Sequence, residues 1–262
     1  PDARPLAEAK GHIVFEHVGF HYLEGTPVLS DVSFEIKPGE TVALVGATGA
    51  GKTTIAALLV RFYDVTEGRI LIDGHDLRDI RVADLRRMLG VVPQEPFLFQ
   101  GTIAYNIAFG RNDASREEII AAAQAANAHD FILRLPQGYD TEVLESSTNL
   151  SLGQRQLICL ARVILAQPQI LILDEATSSV DLRTEGLIQD ALQKLMSGRT
   201  SLVIAHRLAT VQRAQQILVI DGGRIVERGA HTELLAKGGV YAHLYRTQFL
   251  TVEQAPVLVG AS

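Results

Sequence analysis

The chain has 262 residues, of which 47% are hydrophobic and 21% charged, and its formal net charge is −6. This composition predicts a globular protein with a sizeable core and excludes a largely disordered chain. The sequence pI near 5.8 gives no basic footprint, which argues against nucleic acid as the main partner.

Cysteine usage and hydropathy limit the cellular setting. Cys159 is the only cysteine, so no internal disulfide can form and a reducing compartment is expected. It lies in the apolar run "LICLARVIL", which favours a buried structural thiol. No run approaches the roughly 20 apolar residues that span a bilayer, so the isolated chain is expected to be soluble. Residues 1–10 are interpreted as a linker from an upstream domain, and residues 251–262 as a frayed tail.

The predicted elements change character along the chain. The short runs "HIVFEHV", "SFEI", "TVALV" and "GRILIDG" predict strands, partly antiparallel. The segment "TTIAALLVRF" predicts a helix, and residues 102–166 are mostly helical, with "SREEIIAAAQAANAHDFILRL" unbroken until "PQGYDTEV". The apolar runs "QILILD", "SLVIA" and "QILVI", with a helix near 182–196, predict a buried parallel sheet. We therefore expect an α/β core interrupted by a helical insertion.

A glycine-rich stretch, "GATGAGKTT", follows a predicted strand and opens a predicted helix. This is the context of the phosphate-binding loop G-x-x-x-x-G-K-[ST], in which backbone N–H groups and the helix N-terminus surround phosphate oxygens. Lys52 is then a charge on the phosphates, and the Thr53 hydroxyl is a ligand of Mg²⁺. The predicted loop residues are Gly46, Thr48, Gly49, Ala50, Gly51, Lys52, Thr53 and Thr54.

An acidic pair follows the predicted strand in "QILILDEATSSVD". Alone, such a pair is more often a solvated loop or a helix cap. Together with the phosphate loop, it predicts Asp174 in the magnesium shell and Glu175 as the general base for an attacking water. The combination indicates nucleotide hydrolysis.

With these motifs in place, the chain resembles the ATP-binding cassette (ABC) family, more narrowly the nucleotide-binding domain of ABC exporters, from about residue 12 to 249. The resemblance implies a P-loop NTPase (RecA-like) core with an antiparallel β subdomain and a helical signature subdomain at about 95–166, all within residues 11–250. It implies ATP and Mg²⁺ as cofactors. By the same resemblance, Tyr22 in "VGFHY" stacks on adenine, and Gln94 in "VVPQEPF" reaches Mg²⁺ and the attacking water. His206 in "VIAHRLAT" contacts the γ-phosphate.

The signature segment departs from the family pattern. The family stretch reads like "TEVGERGSNLSGGQRQ", whereas this chain has "TEVLESSTNLSLGQRQ". The departures are Leu144, Ser146, Ser147 and Leu152. Ser151 and Gln154 have the spacing of a capping box that opens the helix "LGQRQLICLARVILA".

By the resemblance, this segment closes over ATP held by a second subunit. The implied dimer contacts are Ser151, Leu152, Gly153 and Gln154, together with Asp181 at the end of "SSVD". Leu152 adds a side chain where the backbone should touch the γ-phosphate. If this position needs a left-handed conformation, leucine also costs roughly 1–2 kcal/mol.

The set of motifs implies half of a heterodimeric exporter. The chain's own half-site is complete in sequence, whereas the site covered by Leu152 is degenerate. The expected partners are a second, non-identical nucleotide-binding domain with an ordinary signature, and the transmembrane domains of a transporter. The expected location is the cytoplasmic face of the cell membrane, and the segment after Gln94 resembles the surface that receives the membrane domain. The alternatives are a homodimer that tolerates the leucine, an ABC-type ATPase of DNA repair or chromosome maintenance, and an ATP-dependent dimerisation module.

Overall fold

The computed structural model describes residues 10–144, 149–175 and 180–249. The expectations for most of the linker, for Ser146 and Ser147, for the serines of "SSVD" and for the tail lie outside these residues.

The described elements are bounded as follows. The strands are β1 Ile13–Leu23, β2 Thr26–Ile36, β3 Thr41–Val45, β4 Glu67–Ile72, β5 His75–Asp76, β6 Leu89–Val92, β7 Gly101–Thr102, β8 Glu142–Val143, β9 Ile170–Asp174, β10 Thr200–Ile204, β11 Gln216–Asp221 and β12 Arg224–Gly229. The helices are α1 Lys52–Leu59, α2 Val82–Met88, α3 Ile103–Ala108, α4 Arg116–Ala125, α5 His129–Leu133, α6 Leu152–Ala166, α7 Leu182–Met196, α8 Leu208–Arg213, α9 His231–Lys237 and α10 Val240–Leu244.

The central sheet has the strand order β12-β11-β3-β10-β9-β6. Its five strands from β11 to β6 pair in parallel, and β12 adds an antiparallel edge. The three apolar runs predicted as strands are β9, β10 and β11. The predicted buried parallel sheet is therefore confirmed.

The two faces of this sheet belong to two different apolar clusters. Successive side chains of a strand point to opposite faces, and β9 shows the division clearly. Ile170 and Ile172 pack with α1 and the antiparallel sheet, whereas Leu171 and Leu173 pack with the helical layer. The central sheet thus separates a β-rich layer from a helical layer.

The β-rich layer contains an antiparallel sheet of order β2-β1-β4-β5. β1 pairs antiparallel with both β2 and β4, as expected from the alternating runs near the N-terminus. Phe15 and Phe34 stack across β1 and β2 with ring centroids 4.4 Å apart. This layer covers the face of the central sheet to which Ile170 and Ile172 point, the face that also packs on α1.

The helical layer contains α3 to α6 and differs from the prediction at one point. The long helix predicted over residues 115–135 is divided into α4 and α5. Asn127 lies between them with φ +57°, and its side-chain amide donates to Leu187 O and Asp190 Oδ2 on α7 at 2.9 and 2.8 Å. The break is therefore stabilised by contacts with a distant helix.

Cys159 is buried on α6, and its Sγ lies 3.5 Å from the carbonyl oxygen of Phe97. Burial raises the pKa of the thiol. The predicted buried thiol is confirmed. Within the described ranges, no helix has the length and apolar character needed to cross a membrane.

Candidate nucleotide site

The predicted site residues follow neighbouring strands of the central sheet. β3, β10, β9 and β6 lie side by side in that order and run in parallel. The phosphate loop follows β3, His206 follows β10, the Asp174–Glu175 pair closes β9, and Gln94 follows β6. Because parallel strands end at one edge, the fold brings four separate motifs to one crevice, where open α/β sheets bind ligands.

The phosphate loop needs glycine for two independent reasons. Gly46 and Gly51 have φ values of +151° and +109°, which L side chains rarely adopt. In addition, a Cβ on Gly46 would lie 2.2 Å from Ile220 O, and one on Gly51 would lie 2.7 Å from Leu29 Cδ2. α1 begins at Lys52, with no side-chain cap and no acidic residue in its first turn. Its first N–H groups are therefore available to an anion such as phosphate.

Lys52 is buried beneath this loop. Its Nζ donates to the carbonyl oxygens of Gly46 and Ala47 at 2.7 and 2.8 Å. Burial lowers its pKa, and the charge of Asp174 opposes that shift. Lys52 and Asp174 therefore lie close enough to interact electrostatically.

The residues present fit a magnesium ion held partly by phosphates. Burial raises the pKa of Asp174, and the nearby His206 and Lys52 lower it. Thr53 is exposed at the start of α1. In the described parts of the chain no cluster of three or more His, Cys, Asp or Glu residues could hold a metal. Mg²⁺ commonly uses one or two protein ligands with phosphates and waters, so Asp174 and Thr53 suffice in number.

Gln94 is placed differently from these residues. It is exposed in the segment after β6, and its side chain makes no hydrogen bond with the described residues. Its role toward Mg²⁺ and water stays a prediction.

Glu175 is only 7% exposed and is held by the segment that carries His206. Its Oε2 accepts hydrogen bonds from the backbone N–H groups of His206 and Arg207, both at 3.2 Å. Its Oε1 accepts a short hydrogen bond from the Thr210 hydroxyl. Burial raises the pKa of Glu175, and the Thr210 hydrogen bond opposes this shift. A buried carboxylate with a raised pKa is suited to act as a general base.

His206 is half-buried, and the charges of Lys52 and Asp174 both act on it. Burial and the positive charge of Lys52 lower the pKa of its imidazole, and Asp174 raises it. The net direction of the pKa shift is downward, which favours the neutral ring. A neutral imidazole can donate one hydrogen bond to a phosphate oxygen.

Tyr22, which is predicted to contact adenine, lies in a cluster of three aromatic rings with Phe20 and Tyr63. Tyr22 is 50% exposed, and its hydroxyl forms a 3.2 Å hydrogen bond with Thr54 Oγ1. The rings of Phe20 and Tyr63 meet the Tyr22 ring nearly edge-on, with centroids at 4.8 and 5.2 Å. The Tyr22 ring is thus held in place by Phe20 and Tyr63, next to the phosphate loop. The sequence analysis missed Tyr63, which lies in "RFYDV" after α1 without a recognisable motif of its own.

The signature helix α6 begins with the predicted capping box. Gln154 N donates to Ser151 Oγ at 3.2 Å, and Ser151 N donates to Gln154 Oε1 at 2.9 Å. Leu152 is the first residue of α6 and is not among the described non-glycine residues with positive φ. The conditional cost of a left-handed leucine therefore does not apply. What Leu152 changes is the side chain that it presents at the helix N-terminus.

The start of α6 packs closely on the start of α7. A Cβ on Gly153 would lie 2.3 Å from Thr184 Cγ2 and 3.0 Å from Val180 Cγ1. Asp181 caps α7 by accepting a 3.0 Å hydrogen bond from Thr184 N. A surface crevice of about 590 Å³ opens beside both helix starts and includes Ser151, Gln154 and Asp181 in its lining. Ser151, Gln154 and Asp181 thus share one surface.

A second feature of the helical layer is an exposed aromatic patch. Phe97, Tyr105 and Phe109 are 63%, 50% and 47% exposed. Phe99 joins Phe97 and Phe109 with centroid distances of 5.1 and 4.2 Å. The Arg162 guanidinium lies over the rings of Phe99 and Phe109 at 5.3 and 5.7 Å. Exposed apolar patches of this kind mark interaction surfaces.

The fold and the site together define a P-loop nucleotide-binding protein of the α/β class. Comparison with known proteins narrows this class. The ABC transporter family profile matches residues 29–178. The chain therefore belongs to the ABC transporter family.

Similar proteins are transport proteins that carry ATP-binding and permease parts. A proposed multidrug export ATP-binding/permease protein of Staphylococcus aureus is 51% identical over 249 residues, which is 95% of this chain and 43% of that protein. A fatty acid ABC transporter ATP-binding/permease protein of Mycobacterium bovis is 53% identical over 247 residues, 94% of this chain and 39% of that protein. This chain thus spans less than half the length of these relatives.

A solved structure shows the same fold at high similarity. It is a bacterial Atm1-family ABC exporter with ATP bound, with a TM-score of 0.89 and 48% identity, covering 95% of this chain and 44% of that one. The chain therefore shares its fold with the corresponding part of an ABC exporter. The family and the fold class predicted from the sequence are confirmed, and the alternative class of DNA repair or chromosome ATPases is not favoured.

Proposed function

We propose that the chain is the motor domain of a membrane exporter, which binds ATP with Mg²⁺ and hydrolyses it at Glu175. The observation that carries this proposal is the convergence of the phosphate loop, Asp174, Glu175 and His206 at adjacent strand ends. Two of the three proteins described above are named for export, one of them with ATP bound, and the third is named as an ABC transporter.

Each residue of the site has a proposed role. The loop N–H groups and Lys52 bind the phosphates, while Asp174 and Thr53 hold Mg²⁺, which supplies charge neutralisation on the phosphate oxygens. Glu175 orients the attacking water and accepts its proton. His206 donates a hydrogen bond to the γ-phosphate, and Gln94 contacts the water and the metal ion.

Nucleotide binding is proposed to join two such domains. The N-terminus of α6, with Ser151, Gly153 and Gln154, would cover nucleotide held by the partner, and Asp181 would contact the partner beside it. Leu152 places an isobutyl group at this surface. We therefore propose a non-identical partner with an ordinary signature, which completes the site of Glu175, while the site under Leu152 hydrolyses poorly.

The coupling to transport is proposed to pass through the aromatic patch around Phe97, Tyr105 and Phe109. Exposed rings beside a half-buried guanidinium suit an apolar helix end from the transmembrane part. The proposed location is accordingly the cytoplasmic face of the membrane, as part of a transporter.

ATPase measurements test the proposal. The magnesium-dependent rate is measured against protein concentration for the unaltered chain, for Leu152→Gly and for Glu175→Gln. We expect a nearly inert unaltered chain, a Leu152→Gly variant that hydrolyses ATP with second-order concentration dependence, and loss of that activity when Glu175→Gln is added. If the unaltered chain already shows second-order hydrolysis and the glycine variant gains little, the partner is a second copy. If Glu175→Gln has no effect on hydrolysis, Glu175 is not the base.

A further inference from the structure

Glu175 is attached to the segment 204–210 through both its backbone and its side chain. Its N–H donates to Ile204 O at 3.2 Å. Its carboxylate accepts from the backbone N–H groups of His206 and Arg207 and from the Thr210 hydroxyl. We propose that Thr210 is a positioning residue, which aims Oε1 of Glu175 at the attacking water. This inference rests on the proposed role of Glu175 as the base.

Oε1 is the carboxylate oxygen of Glu175 that can accept a proton from the attacking water. An ionised carboxylate has about four lone-pair sites on its two oxygens. Oε2 already accepts two N–H donors, whereas Oε1 accepts only the hydroxyl of Thr210 among the described residues. One site therefore remains, and it belongs to Oε1. The Thr210 hydroxyl fixes the direction of that remaining lone pair.

The hydroxyl is needed because the carboxylate has room to turn. A crevice of about 310 Å³ is lined by Glu175 and Thr210 together with Gln189, Gln193 and Arg213. Without the hydroxyl, Oε1 would be free to rotate toward these polar side chains. Thr210 keeps it in one orientation.

The same segment links this orientation to the phosphate contact. Two of the three donors to Glu175 are the backbone N–H groups of the consecutive residues His206 and Arg207. The third donor, Thr210, lies one helical turn further on in α8. Arg207 also forms a 2.7 Å ion pair with Glu185 on α7. A shift of His206 toward a phosphate oxygen must therefore carry the carboxylate with it.

Steady-state kinetics test the positioning role. Thr210→Val, which keeps the shape but removes the hydroxyl, is compared with Thr210→Ser, which keeps the hydroxyl. Rates are measured in whichever of the unaltered chain and Leu152→Gly hydrolyses ATP faster. Because a misplacement of about 1 Å can slow a reaction 100-fold, Thr210→Val should lower kcat about 10- to 100-fold. KM should change by less than about twofold, since ground-state binding is unaltered.

The conservative variant and a control separate positioning from folding. Thr210→Ser should retain kcat within about threefold, because it restores the donor. Thr247→Val removes a hydroxyl that donates to His243 O at 3.0 Å near the C-terminus, and should leave kcat unchanged. A Thr210→Val variant with normal kcat, or a Thr210→Ser variant as slow as Thr210→Val, overturns the proposal.

A structural measurement keeps the test independent of hydrolysis. Crystal structures of the unaltered chain and of Thr210→Val should show the Glu175 carboxylate turned away from its original position in the variant. An unmoved carboxylate overturns the positioning role whatever the rates. Conversely, if Glu175→Gln retains hydrolysis, the proposed base is wrong, even where the crystal structures show that Thr210 holds the carboxylate.

Discussion

The contact between α6 and α7 predicts opposite effects for two Gly→Ala changes. At Gly153, an added Cβ would lie 2.3 Å from Thr184 Cγ2, and overpacking of this kind costs about 1–3 kcal/mol. Alanine regains at most about 1 kcal/mol of helix propensity, so Gly153→Ala should lose up to about 2 kcal/mol of unfolding free energy. Gly186, on α7, has no atom within 4 Å of the corresponding position. Gly186→Ala should therefore gain about 1 kcal/mol.

Urea denaturation followed by circular dichroism measures these changes, and a double-mutant cycle locates the contact. Thr184→Ser removes the Cγ2 atom that blocks the new methyl group. In that background the penalty of Gly153→Ala should shrink by about 1 kcal/mol or more. Additivity of the two changes within about 0.5 kcal/mol would refute the reasoning, because the helices would then not meet at these atoms.

Two further predictions concern the aromatic rings around Tyr22 and the cap of α7. Tyr63→Leu should weaken ATP binding by about 0.5–1.5 kcal/mol, or roughly 2- to 12-fold, because the edge-on support of Tyr22 is lost. Titration with a fluorescent ATP analogue measures this, and equal losses in Tyr63→Leu and Tyr63→Phe would contradict it. Asp181→Ala should lower the Tm at neutral pH. The hydrogen bond from Thr184 N lowers the folded-state pKa of Asp181 below its ordinary value of 3.8, so the Tm difference should vanish as pH falls below that range; a difference that persists in acid argues against the cap.

Helix ends were predictable where the signal is local. The Ser151–Gln154 capping box predicted the start of α6, and the helix predicted near 182–196 is α7. The β9 and β10 runs were predictable because strands buried on both faces are apolar throughout. These features depend on residues close together in the chain.

Long-range contacts set the limit of the sequence analysis. The break at Asn127 depends on bonds to α7, which composition alone does not reveal, since the surrounding alanines favour helix. The support of Tyr22 by Tyr63 and the hydrogen bond from Thr210 to Glu175 also join residues that are distant in sequence. The functional roles of Gln94, His206 and the signature residues stay predictions, although the fold places His206 beside Lys52 and Asp174.

The two-sided central sheet has a mechanical consequence. Ile172 and Leu173 are neighbours in the chain, yet they belong to different apolar clusters, so a change of packing on one face is not passed through side chains to the other. The layers share the strands themselves, and these strands end at the phosphate loop, at Glu175 and at His206. The strands are therefore common to both cores, and a displacement of either layer acts on the strand ends where nucleotide would bind.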